Sequence, residues 1–499
     1  MQVTQLIKKH RLWLLLIALV SLRLLHFSDA VDDPHAWRQY DTKQYIDGYY
    51  HGGDPFLEPS VCWMGAHKTL ILEFPLPEFL ISKLFSVVGY QLWLARAFFL
   101  LFFAISAYYF YKSLRFIFTN WVPEIATCFY GLAPLALYYS RAIHIDYFAL
   151  AFSFGMLYFF LKAISTKRLF FLILSVLFAT IAFVEKAPYC FYMSLPIIVY
   201  AYQQKELKWF LKRAGLYVIP VVCLILWNNY SRQTNELIPS WNYIPNFNKF
   251  TDMWYWYFGT MDQRLNPQNW LTILGRIEVE ILGYSGIFLL LLGIVFSPKN
   301  KAYYWSLVML LGTIIYAALF FNLNVNHNYY QLPFVSSLAI LMAMGVQFIL
   351  DRFKVPSLKG IIGILLVGFF AFESIDYAET NYYTVNEQFE KIAREIKLNS
   401  DPDDVVLVAF GGLTPQCPLI LQPANRYGFS IPWLDVSPGL IQELARVGGV
   451  TKLAVVYDGY FTGEFQTYFE AQENKKGFAI DTLGKALYMC DVKYKSSSK

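Results

Sequence analysis

Four short segments of the 499-residue chain gather carboxylates, imidazoles and cations beside apolar sequence. The first reads Asp32-Asp33-Pro34-His35-Ala36-Trp37-Arg38-Gln39-Tyr40-Asp41-Thr42. Groups crowded in this way tune each other's protonation, and a carboxylate among them can take a proton from an acceptor hydroxyl. The same residues would also make an ordinary solvated loop with surface ion pairs. The second segment runs from Tyr138-Tyr139-Ser140-Arg141 through His144 to Asp146, where an apolar run begins. An acid at membrane depth is costly and marks function by default, although Asp146 would also cap a helix. The third is Glu185-Lys186-Ala187-Pro188-Tyr189, whose lysine could meet a phosphate or snorkel to headgroups. The fourth, Asn326-His327-Asn328-Tyr329-Tyr330-Gln331-Leu332-Pro333, is dense in hydrogen-bond donors suited to a phosphate or sugar.

The elements that must position these groups are apolar. The chain is 57% hydrophobic, 19% aromatic and only 15% charged. Soluble domains carry about 25% charged residues, so the bilayer is the solvent for much of the chain. A net charge of +5 argues against nucleic acid as a partner. Crossing ~30 Å of hydrocarbon takes about 20 apolar residues. Eleven runs qualify, at about 11–27, 92–111, 122–139, 147–164, 169–187, 188–204, 213–228, 279–297, 303–322, 331–350 and 360–377. The first has no small-residue cleavage pattern and reads as a retained anchor.

With the N-terminus cytoplasmic, alternate loops carry Lys112/Arg115, Lys167/Arg168, Lys205/Lys208/Lys212/Arg213, Lys299/Lys301 and Arg352/Lys354/Lys359, all on the cytoplasmic side. The opposite side receives a long loop of about 28–91, a second of about 229–278, and everything after about 378. All four polar segments fall on that side. Within the first loop, Leu70–Phe74 and Glu78–Val88 read as short amphipathic helices. Trp227, Trp241, Trp254, Trp256 and Trp270 read as an interfacial belt, with sugar stacking as the alternative. The expected domains are a transmembrane domain, 1–377, and a small extracytoplasmic α/β domain, 378–499. The latter combines helical periodicity over Val385–Leu398 and Leu440–Arg446 with strand-like Val405–Phe410 and Leu453–Tyr457. The polar tail Lys493–Lys499 is expected to be disordered. Six cysteines form no CxxC pair; Cys417 and Cys490 share the C-terminal region and could pair in an oxidising compartment.

Taken in order, His35-Ala36-Trp37-Arg38-Gln39-Tyr40-Asp41-Thr42, Glu73-Phe74-Pro75-Leu76, Leu94-Ala95-Arg96, Pro134 through Tyr139-Ser140-Arg141 to Asp146, and His327 to Pro333 form a pattern over about 1–380. It resembles bacterial members of the protein O-mannosyltransferase and aminoarabinose transferase family, within the C-type glycosyltransferase superfamily. The resemblance implies a polytopic helical fold and a polyprenyl-phosphate monosaccharide donor. It also implies inversion at the anomeric carbon and a catalytic aspartate in the first outer loop. Many members carry Asp-Glu early in that loop. This chain has Asp32-Asp33 there, and Asp41 lies within the Trp-Arg-Gln-x-Asp-Thr block. Asp41 is therefore the first choice of base and Asp33 the second. Asp146 matches the second family acid and is the further catalytic candidate, expected to position the acceptor or the sugar, and Lys186 matches a basic position before a proline.

The expected reaction is transfer of the sugar to a glycan, lipid or protein acceptor at the outer face of a bacterial inner membrane. Arg38, Arg141, His144, Lys186, His327 and Tyr330 are the candidates for holding the donor's phosphate and sugar. No cofactor is required, because a lipid phosphate is itself a good leaving group. A divalent ion could use Asp33, His35 and His327, but no ligand spacing demands one. The rival reading is a lipid or sugar transporter. Transporters place their sites near the midplane between repeats, and no internal repeat is visible here.

Overall fold

In a computed structural model, residues 2–27, 30–243, 254–411, 416–457, 463–472, 474–482 and 484–493 are described. The expectation about the tail falls almost wholly on 494–499, outside them. The chain forms two compact units. One comprises Met1–Asp29, Gln91–Asn228 and Met253–Tyr383; the other comprises Ala30–Tyr90, Asn229–Asp252 and Thr384–Lys499.

The first unit is helical. Among the described residues, eight helices of the chain are long and apolar enough to cross a membrane, from Leu92–Leu114 to Pro356–Asn381. They correspond to eight of the eleven apolar runs. The run 122–139 is instead broken at Ala133, which sits outside the helical region at φ −53°, ψ 137°. Pro134 follows, and a proline disfavours helical geometry in the residue before it. The run 188–204 divides into Pro188–Phe191 and Ser194–Gln203. The first run is covered as far as residue 24 by the helix Gln2–Ser21 and a 3-10 turn at Leu22–Leu24.

Burial sorts the helices. Leu332–Asp351 is enclosed along most of its length. Pro356–Asn381 exposes Ile361, Ile364, Leu365, Phe369 and Phe372, a surface suited to hydrocarbon. The helices Gly283–Phe296 and Leu332–Asp351 cross with almost no space between their backbones. A Cβ on Gly293 would stand 1.9 Å from the Leu341 carbonyl oxygen, and one on Gly345 would stand 2.0 Å from that of Leu289. Small residues permit this close approach, which supplies packing energy where lipid offers no hydrophobic drive.

The second unit is built on a five-stranded sheet: β1 (Val405–Ala409), β2 (Tyr427–Ile431), β3 (Val450–Tyr457), β4 (Lys476–Ala479) and β5 (Ala486–Asp491), in the order β2-β1-β3-β5-β4. β1 is parallel to β2 and β3, while β5 is antiparallel to β3 and β4. Alternation along β1 sends Val406 and Val408 to one core and Leu407 and Ala409 to another.

The first of these cores corrects the expected domain boundary. Val61, Cys62, Trp63, Met64 and Leu70 of the first long loop bury themselves with Val406 and Val408. The Gly428 N–H donates to the Cys62 carbonyl, and Gly65 N–H to that of Gly428, each at 2.8 Å. Asn235 adds the second loop, exchanging two 2.9 Å hydrogen bonds with the Ile71 backbone. The outer loops thus share cores with the C-terminal segment, which a division at 377/378 cannot show. The helix Leu76–Val88 forms as expected, but Leu70–Phe74 is irregular, because Leu70 and Leu72 are bound by the Tyr45 hydroxyl. Trp241 leaves the expected belt to pack on Phe429. Cys417 and Cys490 lie in different cores, and both are free thiols.

Candidate active site

In the second unit, the helix Ala36–Asp47 carries the first candidate acid. Its start is tightly set. His35 adopts a left-handed conformation at φ 62°, and the Asp33 carboxylate accepts the Ala36 N–H at 3.0 Å. Asp33 N–H also donates to the Thr384 carbonyl at 2.8 Å. Asp33, the second choice of base, therefore closes a turn and satisfies a helix-start donor. The far end of the helix is held as well. Asp47 accepts from both Lys43 and Gln422, each at 2.7 Å.

This fixed helix presents Arg38 and Asp41 on one face, three residues apart. Asp41 is 2% exposed, and its Oδ1 accepts the Trp63 indole N–H at 3.0 Å. Arg38 Nη1 is 3.8 Å from Asp41 Oδ2, and Nη2 pairs with Glu73. Burial pushes the Asp41 carboxyl up to about 7, with Glu73 adding to the rise and Arg38 and Trp63 opposing it. Glu78, also buried, is pushed up to about 8 by desolvation and by Glu73, against its own backbone N–H and Arg38. Burial raises Asp33 too, offset by the Ala36 N–H. Three carboxyls thus share one guanidinium. Asp41 and Glu78 both stand to change protonation near neutral pH, and Asp41, on the fixed helix beside Arg38, is the candidate general base. Neither Glu73 nor Glu78 was assigned a role from sequence. Their signal was two acids inside an apolar, proline-broken stretch.

In the membrane unit, the second, third and fourth segments converge on Asp146. This residue opens the helix Asp146–Thr166 and is fully buried. Its Oδ1 receives Lys186 Nζ at 2.5 Å and the Tyr189 hydroxyl, and His144 Nδ1 pairs with Oδ2. Lys186 Nζ also lies 4.9, 4.8 and 4.3 Å from the ring centres of Tyr189, Tyr329 and Tyr330. Cation–π attraction in so dry a setting adds to the ion pair. His144 packs on Tyr329, which stacks on His327 with 9° between the rings. In this arrangement the Lys186 charge is directed at Asp146.

Arg141 is buried beside these groups. It donates to the His26 carbonyl at 3.2 Å and lies 4.4 Å from the Tyr383 ring centre. Two residues here escaped the sequence reading. Arg23, just past the first helix, is buried and bonds Ser140 Oγ at 2.5 Å and the Leu19 carbonyl at 2.6 Å. Glu280 sits in a π-helical turn, Ile277–Leu282, and accepts from Asn328 at 2.7 Å and from the Tyr382 hydroxyl at 3.0 Å. Asn328 accepts in turn from Tyr139 at 2.7 Å. A glutamate in the apolar run 279–297 was the available signal for Glu280. Among the described residues, no group of three or more His, Cys, Asp and Glu side chains is placed to hold a metal ion.

Known proteins share parts of this organisation. Residues 73–229 match the model of the dolichyl-phosphate-mannose-protein mannosyltransferase family. Three solved structures are similar over most of the chain. ArnT from Cupriavidus metallidurans bound to undecaprenyl phosphate aligns with a TM-score of 0.56 at 13% identity, covering 95% of this chain and 97% of its own. The Archaeoglobus fulgidus oligosaccharyltransferase in the apo form gives 0.55 at 11%, covering 90% and 70%. The arabinofuranosyltransferase AftD from Mycobacteria gives 0.54 at 14%, covering 97% of this chain and 41% of that one. No curated protein sequence matches the chain. The likeness to these solved structures shows a shared fold, and the family match covers the stretch 73–229 alone.

Proposed function

We propose that this multi-pass membrane protein is an inverting glycosyltransferase that moves a monosaccharide from a polyprenyl-phosphate carrier to an acceptor hydroxyl. The observation that carries this reading is Asp41, a buried carboxyl held near neutrality on a fixed helix with a cation one turn away. The acceptor hydroxyl gives its proton to the Asp41 carboxylate. Its oxygen forms a bond to the anomeric carbon from the face opposite the phosphate. The bond from that carbon to the phosphate oxygen breaks, and the polyprenyl phosphate leaves with the electron pair. Arg38 steadies Asp41 in its charged form. Cationic and donor side chains are the groups suited to the carrier's phosphate and sugar, with Arg141, His327 and Tyr330 the candidates in the membrane unit. Asp146, with Lys186 and His144, holds the loops that bear them. Asp33 supports the helix and is the reserve base. Because the lipid phosphate leaves directly, the step needs no cofactor, and a divalent ion would act only as an added electrophile.

The match to a dolichyl-phosphate-mannose family model and the likeness to a structure bound to undecaprenyl phosphate support the donor class. The topology proposed is that of the loop charges, with the N-terminus cytoplasmic and the C-terminal domain outside a bacterial inner membrane. Acceptors compatible with this reading are a glycan, a lipid or a protein.

The test is Asp41→Asn in the full chain, supplied with a labelled polyprenyl-phosphate sugar. Removing a general base lowers the rate by about 10²–10⁴-fold. Undiminished transfer by a folded variant would sink Asp41 as the base and move the assignment to Asp33. Movement of intact donor across the bilayer, without release of sugar, would favour a transporter.

A further inference from the structure

A second concave site lies in the membrane unit and shares no lining residue with the site above. Its cavity, about 1010 Å³, is lined by Lys205, Lys208, Lys212 and Lys301 together with Tyr202, Gln203, Leu207 and Leu211. No acid lines it. Glu206, the acid of this loop, is engaged at 2.7 Å by Lys167. The rim is braced. Gln203 Nε2 donates to the Lys301 carbonyl at 3.0 Å, and Lys301 Nζ to that of Gln203 at 3.1 Å.

The location adds a second constraint. The helix Ser194–Gln203 ends here, the helix Lys301–Leu319 begins here, and a membrane-length helix starts at Ala214. Tyr202, at the end of the first of these helices, and Leu211, at the end of the short helix Leu207–Leu211, lie on the surface at 69% and 61% exposure. The Arg213 guanidinium lies 4.4 Å from the Trp209 ring centre, a pairing suited to the headgroup layer. A soluble anion would use the lysines but leave the apolar wall in water. An anionic phospholipid uses both, with its phosphodiester on the ammonium groups and its chains along the leucines. We infer that this basic pocket binds the headgroup of an anionic phospholipid.

The experiment titrates the purified full chain in mixed micelles with fluorescent phosphatidylglycerol, using phosphatidylcholine as the neutral probe. Each lysine near an anionic surface adds to the attraction, so the triple variant K205Q/K208Q/K212Q should bind phosphatidylglycerol at least roughly tenfold more weakly. Phosphatidylcholine binding should not change, and K205R/K208R/K212R should restore the preference. Any one of three results would overturn the inference. The triple glutamine variant could bind as the parent does. The control K354Q/K359Q, which removes like charges at another helix end, could weaken binding equally. Glycerol 3-phosphate could displace the lipid at matched concentration, which would make the site one for a soluble phosphate.

Discussion

The two buried aspartates, Asp41 and Asp146, stand in opposite electrostatic settings. Asp146 faces two basic side chains and a phenol, with three tyrosine rings closing over its lysine. Its charge is fully answered, which makes it a fixed joint between loops. Asp41 has one arginine at 3.8 Å, shared with Glu73, and one indole donor. Its charge is under-answered, so its proton is exchangeable near pH 7. Residue type and burial do not distinguish the two. The number of cations per carboxylate does, and it separates an acid that holds structure from one able to do chemistry.

Substitutions that break this contrast should differ in kind. The largest effect expected is on turnover by Asp41→Asn, with the protein still folded, read by transfer assay. Lys186→Met should act on stability, because it strands a buried carboxylate at a cost of about 3–5 kcal/mol. Thermal melting in detergent would check this, and Asp146→Asn combined with Lys186→Met should recover part of the loss. If Lys186→Met melts like the parent while transfer collapses, Asp146 and Lys186 belong to the chemistry.

A pH series sharpens the comparison. Transfer should rise as pH passes through about 7, where Asp41 ionises. Arg38→Gln should move that inflection upward, and Trp63→Phe should move it upward by less, since Arg38 is the stronger of the two opposing influences. Stability carries the opposite sign. The folded chain keeps on Asp41 a proton that the unfolded chain loses above the ordinary value of 3.8. Stability should therefore fall as pH rises from about 4 to about 7, and Asp41→Asn should flatten that slope. The smallest effect concerns the thiols. With Cys417 and Cys490 in separate cores, a reducing agent should leave gel mobility and melting unchanged.

Much of the scaffold was legible because its signals are local. Eight long helices follow from apolar length alone, and the break at Ala133 follows from the proline after it. The segments around Asp41, Asp146, Lys186 and His327 stood out as polar groups beside apolar sequence. Which of them touch was hidden, because the partners are remote in the chain. From sequence, Lys186 suits either a phosphate or the headgroups, and only the fold shows it paired with Asp146. Arg23 and Glu280 looked like the edges of spans until the fold supplied Ser140 and Asn328. The mixed sheet was visible only as a few strand-like runs, and its use of Val61–Met64 as core could not be read from a loop.

The sequence by itself determined that this protein is a polytopic membrane protein with acids and bases gathered near the ends of its spans. Hydrophobic length and charge placement act over a single helix, so one dimension suffices for them. Only the tertiary structure decided which aspartate is neutralised and which is held near neutrality. That depends on desolvation and on cations brought from distant parts of the chain, and both exist only once the chain has packed.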